Sequence, residues 1–150
     1  MGQNSGAGQL ARCRKTLKLS LAEGALALVV SVSVILYFGK PLLSLFNSDP
    51  QVIELGYIRL VMTMTAHSFA LLYEVMAGYL RGFGISLVPA VLAMFGVCGV
   101  RILWIITAFP QAPTFRTILM AYPISLSATA VMIFFALLVY HPSRQKGASV

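Results

Sequence analysis

Residues 67–84 read HSFALLYEVMAGYLRGFG. The stretch closes an apolar run, Leu60 to Leu80, that is long enough to cross a bilayer, because about 20 apolar residues in a helix span the ~30 Å hydrocarbon core. It nevertheless contains His67 and Glu74. Residues seven apart on a helix return to the same face, so His67, Glu74 and Arg81 align. Thr63, Ala70, Ala77 and Gly78, all small, share that face, while Met62, Phe69, Leu72, Val75, Met76 and Tyr79 occupy the opposite one. The bulky face suits lipid, and the small, ionisable face calls for protein or water. A carboxylate is costly at membrane depth, which makes Glu74 a functional candidate by default. In the competing reading Glu74 is a structural hydrogen-bond partner that locks helices together. These residues alone leave both standing.

Composition agrees with a membrane setting. Of 150 residues 59% are hydrophobic and 10% charged, against about 25% charged in soluble domains, and the mean hydropathy is +0.87. A net charge of +7 raises the question of nucleic acid. The basic residues flank apolar spans without interleaved aromatics, so no nucleic-acid partner is expected and a membrane-orienting role fits better. Cys13 and Cys98 match neither a disulfide framework nor a metal spacing. No nucleophile–base pair or metal cluster points to an enzyme, and no cofactor is implied. Met1 to Gln9 has no basic start and is expected to be no signal peptide; Gly6 breaks the myristoylation pattern.

Outward from the central stretch, four spans are expected at about 19–37, 60–80, 87–109 and 118–140, giving an all-α membrane protein with four transmembrane helices over residues 1–150. Residues 1–8 read as a flexible turn and 141–150 as a polar, mobile tail. Gly39-Lys40-Pro41 closes the first span, and Leu42 to Phe46 is expected to lie at the interface. Asp49 before Pro50 is a helix start, because Asp caps and Pro suits the first helical position. The glycines after Arg81 allow a tight reversal. The third span carries Arg101, with Trp104 near its far end as an aromatic anchor. Ser125, Ser127 and Thr129 put polar groups into the fourth.

Charge sets the orientation. Arg12, Arg14, Lys15, Lys18, Arg81, Arg144 and Lys146 fall on one side, against Lys40, Arg59 and Arg116 on the other. Seven against three places both termini in the cytoplasm of a multi-pass protein of the plasma (inner) membrane. Cys13 is then expected to be cytoplasmic and reachable, and Cys98 sealed in the bundle. At ~1.5 Å per residue, Glu74 lies roughly 9 Å from the inner end of its span and Glu23 roughly 6 Å from that of the first. His67 and Arg101 lie roughly 20 Å deep. Arg101 is expected to snorkel toward the outer interface, while Glu74 is the charge hardest to explain away.

Five motifs, GQNSGAG (2–8), LFNSDPQVIELGYIRL (45–60), GYLRGFGISLVPA (78–90), GVCGVRILWI (96–105) and AYPISLSATA (121–130), occur in the order and spacing of one family. The chain resembles the C-terminal part of a multidrug and toxic compound extrusion (MATE) transporter, of a bacterial branch that carries a Glu in the second span and an Arg in the third. The resemblance implies two six-helix lobes forming a V, with these four spans as the last four helices of the second lobe. It implies export of amphipathic organic cations in exchange for H⁺ or Na⁺. Glu74, His67 and Arg101 are then the candidates for the transport and cation-coupling pathway, and the partners are the bilayer and the missing N-terminal lobe. Better-studied branches place a carboxylate about one turn outward of Glu74, where this chain has Ala70. Two alternatives are weighed: a flippase for lipid-linked sugars in the same superfamily, hinted at by Arg101, and a small four-helix homodimeric transporter, for which Glu23 is the nominal carboxylate. A non-transporting membrane interaction protein stands behind them.

Overall fold

The computed structural model describes residues 1–140. The expected polar tail, 141–150, and the Arg144 and Lys146 counted toward the orientation, lie outside the described residues. The elements are α1 (Gly2–Gly6), α2 (Leu10–Ser44), α3 (Pro50–Gly82), α4 (Leu87–Ala93), a π-helical turn (Met94–Gly99), α5 (Val100–Thr107) and α6 (Phe115–Val139). α4, the π turn and α5 run on as one rod, so the described residues hold four helices long and apolar enough to cross a membrane. This is the all-α, four-span architecture expected from the sequence.

Short connections make sequential neighbours antiparallel, yet the packing order differs from the chain order. α3 is central, with α2 on one flank and α6 on the other, and the α4–α5 rod packs mainly on α6. At the Gly82 end of α3, Met76, Ala77 and Leu80 pack against Ile133 and Ala136 of α6, with Val88 and Leu92 of α4 alongside. In lipid, association rests on close van der Waals packing rather than on expulsion of water. Small residues therefore sit where backbones approach. A Cβ on Gly24 would come within 2.6 Å of Leu71, and one on Gly39 within 2.8 Å of Leu60 and 3.0 Å of Tyr57.

Local chemistry sets the ends. Asp49 caps α3 by accepting from the Gln51 amide at 2.8 Å, with Pro50 as the first helical residue. Gly84, at φ +82°, lets the Ile85 amide reach back to the Leu80 carbonyl (3.1 Å) and its own amide to that of Arg81 (2.9 Å). That is a Schellman reversal, and its left-handed position favours glycine. Thr114 caps α6 by accepting from the Thr117 amide at 3.2 Å.

Three expectations fail. The first span does not close at Gly39-Lys40-Pro41; α2 runs through Pro41 to Ser44, so Leu42 to Ser44 is helix rather than a separate interfacial run. Proline removes one helical bond. The turn survives because Gly39 is clasped by Tyr57 and Leu60, while the Tyr57 hydroxyl donates to the Leu36 carbonyl (3.4 Å). Met1 to Gly8 is not a loose turn: Gly2–Gly6 forms a short helix, and Met1 packs where a side chain on Gly82 would stand. The cysteines are reversed, with Cys13 fully buried and Cys98 exposed. Cys13 lies on the inward face of α2 while its neighbours Arg12, Arg14, Lys15 and Lys18 stay exposed, and Cys98 lies on the side of the α4–α5 rod that faces away from the bundle.

Candidate functional site

At 100° per residue, α3 presents four faces. Tyr57, Leu60 and Leu71 meet α2, and Met76, Ala77 and Leu80 meet α6. Between these flanks, on one side, run His67, Glu74 and Arg81, all exposed. No element among the described residues covers them. Arg81 donates to the Glu74 carboxylate at 3.4 Å, and the two side chains remain 51% and 56% exposed. The pair is long and open, the kind that contributes little to stability. His67 turns back on its own helix, its Nδ1 lying 2.7 Å from the Thr63 carbonyl. The alignment expected of His67, Glu74 and Arg81 is present, and contact within it joins only the last two.

The opposite face is not the lipid-facing stripe expected. Met76 and Tyr79 are buried, at 8% and 4% exposure. Phe69, Leu72 and Met76 line an apolar groove of about 400 Å³ with Leu21 of α2 and Val131 and Phe134 of α6. Leu72 and Met76 each stand about 200° from Glu74, so carboxylate and groove open on opposite sides of α3. Ala77, placed with the ionisable face, is buried against α6 instead. The seven-residue period gives the row correctly; its width was overestimated, because α6 claims one edge.

Arg101 does not snorkel outward. Its guanidinium turns into the bundle, donating to the Ser125 hydroxyl at 3.2 Å and stacking 4.4 Å over the Tyr122 ring. Its Nε is buried without a partner among the described residues. Cation–π contact and one charge-assisted hydrogen bond offset part of the cost of that burial. The Tyr73 side chain lies near both Glu74 and Arg101.

The backbone reason for this placement is the π turn. Gly96 meets Thr129 and Met132 of α6, and Arg101, five residues on, meets Ser125, four residues back. In an α-helix positions five apart diverge by about 140°. A π turn, bonded i to i+5, stacks them. Ser125 and Thr129 spend their remaining hydrogen bonds on their own helix, at Tyr122 O (3.1 Å) and Ser125 O (2.7 Å). Trp104, expected as an interface anchor, also ties α5 to α6: its indole N–H donates to the Thr117 carbonyl at 2.8 Å. Sequence reasoning assigned no role to Tyr73, Tyr122 or the π turn. The cluster Tyr122-Pro123 with Ser125, opposite an arginine in the preceding span, was the available signal.

Four antiparallel membrane-length helices define a polytopic membrane protein. The family model described as MatE matches residues 1–107, and the chain belongs to that family of multidrug and toxic compound extrusion transporters. The match covers α1 to α5 and the row on α3, and ends before α6. No curated protein and no solved structure matched the chain.

Proposed function

We propose that the chain contributes the coupling-ion site of a cation-driven exporter of amphipathic organic cations, with Glu74 as the group that binds H⁺ or Na⁺. One observation carries this reading. A carboxylate inside a membrane span stands half exposed on an α3 face that no described helix covers, with the long Arg81 contact as its one ion pair among the described residues. A structural carboxylate would be enclosed by donors. An ion site needs access on one side and a partner it can release. In this account the open row faces the partner lobe across the transport cavity, and Ala70 leaves room one turn outward. Arg81 is the cation that H⁺ or Na⁺ displaces. Arg101 and His67 have other roles. Arg101 is committed to Ser125 and Tyr122, and His67 is tied to Thr63.

Nothing specific favours the flippase, since its one hint, Arg101, is engaged within the bundle. Glu23 is exposed on α2, and nothing specific to it favours the homodimeric reading. The charge asymmetry supports a reading in which both termini face the cytoplasm across the plasma membrane. The test is chemical. A hydrophobic carbodiimide reacts with protonated carboxyls within membranes, and peptide mass spectrometry reads modification of Glu74. Tetraphenylphosphonium or Na⁺ in excess should slow that modification at least several-fold. Modification at an unchanged rate under both ligands would remove Glu74 from the pathway.

A further inference from the structure

At the end of the bundle away from Met1, the N-terminal parts of α3 and α6 line an open cavity of about 620 Å³. Leu55, Ile58, Val61, Met62 and Phe115 make its walls apolar, while Glu54 and Arg116 stand on its rim with Thr114. The two rim charges are not equivalent. Glu54 is already paired with Lys40 at 2.7 Å, and Lys40 also lies 5.1 Å over the Tyr57 ring. Arg116 has no ion-pair partner among the described residues, and it sits in the first turn of α6, where the helix dipole adds positive potential. The cavity therefore couples an apolar slot to one net positive charge. Trp104, bonded to the Thr117 carbonyl in that same turn, marks the level at which headgroups begin.

We infer that this cavity is a binding site for an anionic phospholipid, its phosphate on Arg116 and an acyl chain along Leu55, Ile58 and Met62. A free phosphate would leave the apolar walls unused. An organic cation would meet a rim whose only carboxylate is taken. The inference does not depend on the coupling role proposed for Glu74, because it concerns the opposite end of α3 and an equilibrium rather than transport.

The chain carries one tryptophan, and it lies beside the site. Reconstitution into phosphatidylcholine bilayers containing phosphatidylglycerol brominated on its acyl chains allows Trp104 quenching to report local lipid occupancy. The expected result is a preference of about fivefold for phosphatidylglycerol, the order of attraction one unpaired basic side chain confers at a headgroup surface. Arg116→Gln should bring the ratio close to one. Glu54→Gln, which frees Lys40, should raise it. Equal quenching by both lipids, or a preference that survives Arg116→Gln, overturns the site. So does loss of the preference on adding millimolar glycerol phosphate, which would show that a headgroup alone is bound.

Discussion

Gly96→Ala should loosen the contact between the α4–α5 rod and α6. A Cβ at residue 96 would fall 2.6 Å from the Met132 methyl and 2.9 Å from the Thr129 Cβ, and closer still to the Thr129 hydroxyl. The Met132 tip can swing away. Thr129 cannot, because its hydroxyl is tied to the Ser125 carbonyl at 2.7 Å and its Cβ is one bond from the backbone. Relief requires the helices to part until carbon atoms regain the ~3.5–4.0 Å of optimal contact. That means an opening of about 0.6–1 Å from the present 2.9 Å. Overpacking of this kind costs about 1–3 kcal/mol, while alanine returns up to about 1 kcal/mol of helix propensity. The net expectation is a destabilisation of up to about 2 kcal/mol. Unfolding in mixed micelles of increasing SDS content, followed by Trp104 fluorescence, measures it at the affected interface. Thr129→Ala removes the nearest atom and should recover part of the loss, with a coupling of at least about 0.5 kcal/mol in the double-mutant cycle. A Gly96→Ala protein as stable as the parent, with no coupling to residue 129, would refute the close π-turn contact that places Arg101 against Ser125.

Two further outcomes follow from burial and charge. In purified protein a small maleimide should modify Cys98, which is exposed, well before Cys13, at 0% exposure; equal rates would contradict the packing of the α2 end. For topology, single cysteines replacing Ser48 and Ser86, in a background without the native pair, lie in the turns at opposite ends of α3. A membrane-impermeant maleimide on intact cells should label position 48, and position 86 only after permeabilisation; the reverse pattern inverts the orientation.

Much of the fold was legible because bilayer length acts on composition alone. The four spans and the Asp49-Pro50 start follow from apolar run length and cap chemistry, and Gly84 from backbone sterics. The misreadings share a cause: they concern tertiary partners. Pro41 ends a helix unless Tyr57 and Leu60 hold the turn from the next one, and single-helix rules do not see that. Met76 looks like lipid-facing bulk until α6, last in sequence, inserts beside α3, and Tyr79 does so until the start of α2 lies against it. Arg101 has the length to snorkel, and only the π turn, which adds one residue to the register, aims it at Ser125 and Tyr122. Glu74 was legible as a candidate because a carboxylate within a span is conspicuous. Its openness and its Arg81 partner needed the packing of α2 and α6 to be known.

The central claim is that Glu74 couples ion movement to export, and gradient-driven dye flux measures it most directly. The transporter containing this chain would be reconstituted into liposomes and given an imposed H⁺ or Na⁺ gradient, and the movement of ethidium followed. The account predicts gradient-dependent flux in the parent, retained in part by Glu74→Asp and reduced to the gradient-free level by Glu74→Gln in protein of unchanged helical content. Flux that survives Glu74→Gln undiminished would contradict the account and leave Glu74 a structural residue.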